Sequence, residues 1–176
     1  MNGENATKQL TQDYWEQKAS SEQNLIVEAQ LQIGSGLALV GKHNYKVEWA
    51  DLYCGLGVMV HLLRDAHYDN IVGIDNDPNV QSFWEDDEGF IFQDPLHLGL
   101  KDDSFTLVTC FDGSRTEDHP ALLREMARIS SRYILFRPDS KPNHDLHEET
   151  MRLFLAERLK MTRYNAPNGW YTIEVN

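Results

Sequence analysis

Two short apolar runs, each closed by an acid, constrain this chain more than any other feature. The first is VEWADLYCGLG at 47–57, in which Asp51 ends the run and Gly55 and Gly57 stand one residue apart. The second is IVGIDND at 71–77, where Asp75 follows the run. The first predicts a buried strand over Val47–Leu52 that opens into a glycine turn and then a helix. The second predicts a neighbouring strand over Ile71–Ile74 with a carboxylate at its end. In α/β folds such a pair makes a site for a nucleotide moiety, the acid taking two ribose hydroxyls.

The rest of the chain continues the alternation. Residues 7–20 predict a short helix in which Tyr14 and Trp15 are the only large apolar residues, so the segment lies over something rather than forming core. Ser20 or Ser21 then caps a second helix with apolar positions from Leu25 to Val40, interrupted by Gly34 and Gly36 and stopped by Gly41. A helix over Val58–Ala66 follows the glycine turn. Asp77 as cap and Pro78 in the first turn predict a helix ending near Trp84, which would leave Asp75 free for a ligand. Strands are expected at Phe90–Phe92, Phe105–Phe111 and Tyr133–Phe136, with helices at Pro120–Ser130 and Glu148–Leu159. Two alternating runs around Ala166, Pro167, Asn168 and Gly169 read as a closing hairpin. Strands alternating with helices predict an α/β three-layer sandwich, its mainly parallel sheet covered by helices on both faces and edged by the antiparallel hairpin.

Composition limits the classes further. At 176 residues the chain fits one domain, with a helical segment at 1–45, a candidate lid, before a main unit at 46–176. Such a length buries roughly 70% of the unfolded surface, enough for a core without staples. Cys54 and Cys110 are the only cysteines, which indicates neither a disulfide scaffold nor a zinc site. The polar start lacks a signal-peptide pattern and no apolar run reaches membrane-span length, so the cytoplasm is the expected address. A net charge of −12 argues against a polyanionic partner. Arg124, Arg128 and Arg132 would share a stripe if their helix ran that far, and a solvated face is the expected meaning.

The motifs together resemble the class I S-adenosylmethionine-dependent methyltransferases, from about Val47 to the C-terminus. DLYCGLG at 51–57 is similar to that family's first motif, and GIDNDP at 73–78 to its second-strand motif. FQDPLHLGLKDDSFTLVTCFD at 92–112 is similar to the stretch around strands three and four. The hairpin matches the family's antiparallel seventh strand, so the resemblance implies a seven-stranded sheet. It also implies S-adenosylmethionine as cofactor and a small or medium organic molecule as methyl acceptor. Asp51 would reach the cofactor's ammonium, Gly55 and Gly57 would let the backbone approach, and Asp75 would hold the ribose. Asn76, Asp94 and Leu96 would contact the adenine, and Phe111 would stand at the mouth. Tyr53 departs from the glycine common at its position and crowds the methionine end.

Catalytic residues are less legible, because methyl transfer is an in-line displacement that chiefly needs positioning. Asp112 and His119 are the candidate bases, since both follow strand four. Cys54 reads as a small residue in a tight turn and Cys110 as core. His144 and His147 are expected in a loop, and no metal site is indicated. Two alternatives stand beside the enzyme: a catalytically inactive regulatory or scaffolding subunit of the same fold, and an RNA-modifying methyltransferase. A protein partner or a homodimer is compatible with either.

Overall fold

The computed structural model describes residues 10–84, 88–138, 144–156, 159–165 and 169–175. Among these residues, five α-helices and seven strands run in the order α1 (Gln12–Ala19), α2 (Glu22–Val40), β1 (Trp49–Leu52), α3 (Val58–Asp65), β2 (Ile71–Asp75), β3 (Phe90–Phe92), β4 (Phe105–Cys110), α4 (His119–Ile129), β5 (Ser130–Phe136), α5 (His144–Ala156), β6 (Lys160–Asn165) and β7 (Trp170–Glu174). The sheet order is β3-β2-β1-β4-β5-β7-β6. The first five strands are parallel, and β7 pairs antiparallel with both β5 and β6.

Side-chain alternation along the strands explains the layers. In β1, Ala50 and Leu52 join Leu122, Met126 and Phe154, so α4 and α5 cover that face. Trp49 points the other way, into the cluster of Ala29, Met59 and Leu63 supplied by α2 and α3. Gly36 makes this second packing possible. A Cβ there would meet the Trp49 ring at 2.1 Å, so the helix-weakening glycine is what seats α2 on the sheet.

Several local expectations change. The helix expected after Pro78 is a turn followed by a single 3-10 turn, Gln81–Phe83. The Asp77 carboxylate does cap Asn79, whose N–H donates to Oδ1 at 3.0 Å. Its other oxygen is drawn to the N-terminal segment, accepting from Leu10 N–H at 2.8 Å and Trp15 Nε1–H at 3.1 Å. Ser21 sits at the α2 cap without a capping bond; α1 and α4 are capped by side chains, Thr11 Oγ1 accepting from Tyr14 N–H at 3.2 Å and Asp118 Oδ1 from Ala121 N–H at 3.0 Å. α4 ends at Ile129, so Arg132 lies on β5 and no three-arginine stripe forms. Arg128 is not merely solvated: it donates to the carbonyls of Leu98 and Leu100 and pairs with Glu125 and Asp102. His144 and His147 fall on α5 rather than in a loop. The turn residues Ala166–Asn168 lie outside the described residues.

Candidate cofactor site

The strand order reverses direction between β1 and β4, and open α/β sheets bind ligands outside the strand ends at such a point. A cavity of about 420 Å³ lies there. Its floor is the end of β1 and the following turn, with Asp51, Tyr53 and Gly55; Phe111 and Asp112 enter from the end of β4. α1 and α2 supply the opposite wall through Tyr14, Trp15, Lys18, Glu28 and Gln32.

The β1 turn is built from left-handed backbone. Gly55 and Gly57 have φ of 56° and 72°, values that glycine adopts without cost. Tyr53 has φ of 55°, a region that costs an ordinary residue roughly 1–2 kcal/mol. Its position therefore has the backbone shape of a glycine, and the ring is held by burial, with 4% of the residue exposed. Gly55 is enclosed on three sides. Its N–H donates to Asp75 Oδ2 at 2.9 Å, its carbonyl accepts from Trp84 Nε1–H at 3.0 Å, and a Cβ would stand 2.9 Å from the Trp15 ring.

Asp51 is buried and bonded. Trp49 Nε1–H donates to Thr109 Oγ1 at 2.9 Å, and Thr109 in turn donates to Asp51 Oδ1 at 2.7 Å. Burial pushes the Asp51 carboxyl up to about 7; the Thr109 bond opposes this, and the charge of Asp75 adds to it. Cys54 and Cys110 are pushed well above the ordinary thiol range by burial and by neighbouring carboxylates, which disfavours the thiolate form.

Asp75 is not free, contrary to the sequence expectation. It is fully buried, and both oxygens are engaged. Oδ1 accepts from Asp77 N–H at 3.0 Å and from Arg115 Nη2 at 3.2 Å. Oδ2 accepts from Gly55 N–H and, at 3.4 Å, from Arg115 Nη1. Arg115 also reaches Asp77 Oδ2 at 3.4 Å, and its guanidinium lies 5.4 Å from the Trp15 ring centroid and 5.5 Å from that of Tyr53. Burial would raise Asp77, but bonds from Leu10, Asn79 and Trp15 outweigh it and hold the carboxyl below its ordinary value.

The other expected residues divide. Gly57, Asp75, Asn76, Asp94 and Leu96 are not among the residues lining the cavity. Asn76 Oδ1 is buried with no hydrogen-bond partner among the described residues, an acceptor available to a ligand donor. Asp94 Oδ1 accepts from Leu96 N–H at 3.0 Å, and Leu96 is buried in the core. Phe111 packs edge-on to Trp170. Asp112 lines the cavity and accepts from Ser114 Oγ at 2.6 Å. His119 is not in the lining; its Nε2 stands 3.1 Å from the Gly113 carbonyl oxygen and its ring meets Phe136. No cluster that could hold a metal ion occurs among the described residues, and no helix among them is long and apolar enough to cross a membrane.

Sequence reasoning missed Thr109, Arg115, Arg137 and Glu28. Arg137 Nη2 pairs with Glu28 Oε1 at 3.0 Å across the cavity wall, and its Nε donates to the Phe111 carbonyl at 2.6 Å. The signal for Arg115 was its position just after an expected strand-four end, where a loop must border the site.

Comparisons with known proteins agree with this fold. A methyltransferase-domain family model matches residues 50–132. No match to the sequence is found among curated proteins. A candidate S-adenosyl-L-methionine-dependent methyltransferase from Methanococcus maripaludis superposes with a TM-score of 0.75 at 11% identity, covering 97% of this chain and 95% of that one. Magnesium protoporphyrin IX methyltransferase from Synechocystis, solved with bound S-adenosylmethionine, gives 0.58 at 17% identity over 84% and 78%. A Haloferax volcanii complex of a methyltransferase activator with its candidate methyltransferase gives 0.66 at 16% identity over 93% and 96%. The chain thus has the class I methyltransferase fold, and its residues 50–132 match a methyltransferase-domain family model.

Proposed function

We propose that this chain is an S-adenosylmethionine-dependent methyltransferase acting on a small organic acceptor. The observation that carries the proposal is the left-handed β1 turn, which follows Asp51 and whose Gly55 N–H donates to Asp75, at the point where the strand order reverses. The chemistry of those groups suits the cofactor: Asp51 for the ammonium, Asp75 for the ribose diol, and the unpaired Asn76 Oδ1 for a donor on the adenine side. The bound cofactor would supply a methyl group on a sulfonium. The protein's part is positioning, with Tyr53 and Phe111 walling the space above the turn. Asp112 is the base best placed to accept a proton from an oxygen or nitrogen acceptor. A cavity of about 420 Å³ that must hold both the methionine end and the acceptor favours a small acceptor. Residues 10–40 act as its lid, and a protein partner is a further possibility by analogy with the Haloferax complex.

Calorimetric titration with S-adenosylhomocysteine and S-adenosylmethionine tests the proposal. Saturable one-to-one binding, followed by acceptor-dependent release of S-adenosylhomocysteine, is the expected result. The engagement of Asp75 by Arg115 favours a second reading, a regulatory or scaffolding subunit of the same fold. Absence of binding by either nucleoside would select it.

A further inference from the structure

We infer that Arg115 is a built-in stopper of the ribose cradle, which a nucleoside cofactor must displace. The inference rests on the proposed cofactor and concerns how this chain controls its entry. The Arg115 guanidinium spans both carboxylates at the end of β2 and is itself 1% exposed, so it occupies the place where a diol would bond to Asp75. Trp15 and Tyr53 face it at 5.4 and 5.5 Å, close enough for cation–π attraction. A planar cation beside two aromatic rings, bonded to two carboxylates, satisfies the same groups that would otherwise receive the ligand.

The geometry also indicates that the stopper is removable. Its bonds to the carboxylates measure 3.2, 3.4 and 3.4 Å, longer than the 2.7–2.9 Å of strong charge-assisted pairs. The shorter bonds of Asp75 and Asp77 go to backbone N–H groups of Gly55, Asp77, Leu10 and Asn79, which need not change when the side chain leaves. Arg115 ends a single 3-10 turn, Gly113–Arg115, on the cavity side of β4, and also lines the cavity. Withdrawal therefore requires side-chain rotation rather than rearrangement of a helix. When the open form is a minor fraction of the free protein, the apparent affinity falls by that fraction.

A purely structural arginine, present to neutralise Asp75 and Asp77, makes the opposite prediction. Its removal would weaken cofactor binding or leave it unchanged. S-adenosylhomocysteine should be titrated into the full chain, into Arg115→Gln and into Arg115→Lys. The stopper requires Arg115→Gln to bind about tenfold tighter or better, with Arg115→Lys between the two. Because Arg115→Gln leaves two buried carboxylates without their cation, the unaltered chain supplies a second measurement. The guanidinium protons of Arg115, followed by NMR, should be protected from exchange in the free chain and lose that protection on saturation with S-adenosylhomocysteine. Equal or weaker binding by a folded Arg115→Gln, or undiminished protection in the saturated complex, overturns the stopper and leaves the cofactor proposal standing. Failure of every form to bind overturns both.

Discussion

Thr109 Oγ1 lies 2.7 Å from Asp51 Oδ1 and receives the Trp49 indole proton at 2.9 Å on its other side. A hydroxyl thus links a core tryptophan to the carboxylate at the end of β1. Replacing Thr109 with Val removes the one side-chain bond that favours the Asp51 anion and leaves Trp49 Nε1 without an acceptor. The expected cost is about 1–3 kcal/mol of stability, measured by urea denaturation. The Asp51 carboxyl should rise further, which carbon-13 NMR of the labelled side chain would report.

The Asp51 shift also sets a pH dependence. The folded chain keeps the Asp51 proton up to about 7, against 3.8 for the ordinary group. Its contribution is therefore most favourable below the unfolded value and declines as pH rises from there toward 7, by at most about 4 kcal/mol. Asp51→Asn should gain stability relative to the natural chain across that interval. A difference that stays constant with pH would contradict the assignment. Binding should show the same coupling: a ligand ammonium beside Asp51 favours its anion, so S-adenosylhomocysteine should release a proton at about pH 6 and none at about pH 8.5. Calorimetry in buffers of different ionisation enthalpy measures this.

Gly55→Ala should be disruptive out of proportion to one methyl group. The left-handed backbone alone costs roughly 1–2 kcal/mol, and the new Cβ would stand 2.9 Å from the Trp15 ring. Trp15 must then tilt away and lose its bond to Asp77. A lower melting temperature with an altered near-UV tryptophan signal is the expected pair of changes.

Trp15 itself is the anchor of the N-terminal segment, 2% exposed in a helix whose other residues are mainly exposed. Trp15→Ala should cost about 3–5 kcal/mol. Trp15→Phe keeps most of the packing and loses only the indole bond, so it should cost far less. Removing the first twenty residues should raise the KM for the acceptor, since Tyr14, Trp15 and Lys18 line the cavity. Unchanged kinetics would rule out the lid.

Much of this site was legible because each part is encoded within a few residues. Asp51, Gly55 and Gly57 sit in one turn, and an apolar run ending at Asp75 marks a strand end without reference to the rest of the chain. What was not legible depends on distant partners. Asp77 next to Pro78 has the local pattern of a helix start, yet Leu10, Trp15 and Arg115, all remote in sequence, claim its second oxygen and no α-helix follows. The sequence predicts a solvated face for Arg128 because the carbonyls that receive it, of Leu98 and Leu100, lie 30 and 28 residues earlier and carry no sequence mark. Tyr53 departs from glycine in the sequence, but only the backbone shows that it retains a glycine's conformation.

Arg128 and Glu125 give a separate test away from the site. Burial would raise Glu125, but the Arg128 bond and the Leu98 N–H outweigh it and hold the carboxyl below its ordinary 4.5. The resulting stability is complete above that value and is lost as pH falls through the lowered one. Glu125→Gln should be less stable than the natural chain near neutrality, and the gap should narrow under acid. Denaturation midpoints at about pH 7 and about pH 3 would show it.

The seating of α2 on Trp49 through Gly36 has a consequence for how such chains diversify. The stretch that carries the methyltransferase pattern begins at residue 50, whereas Glu28, Ala29 and Gln32 of the cavity wall come from the helix before it. Under the proposed function, transfer chemistry and choice of acceptor would be written in separate, consecutive passages of the chain. A different helix, set on the same glycine and the same tryptophan, would present a new wall to an unaltered turn.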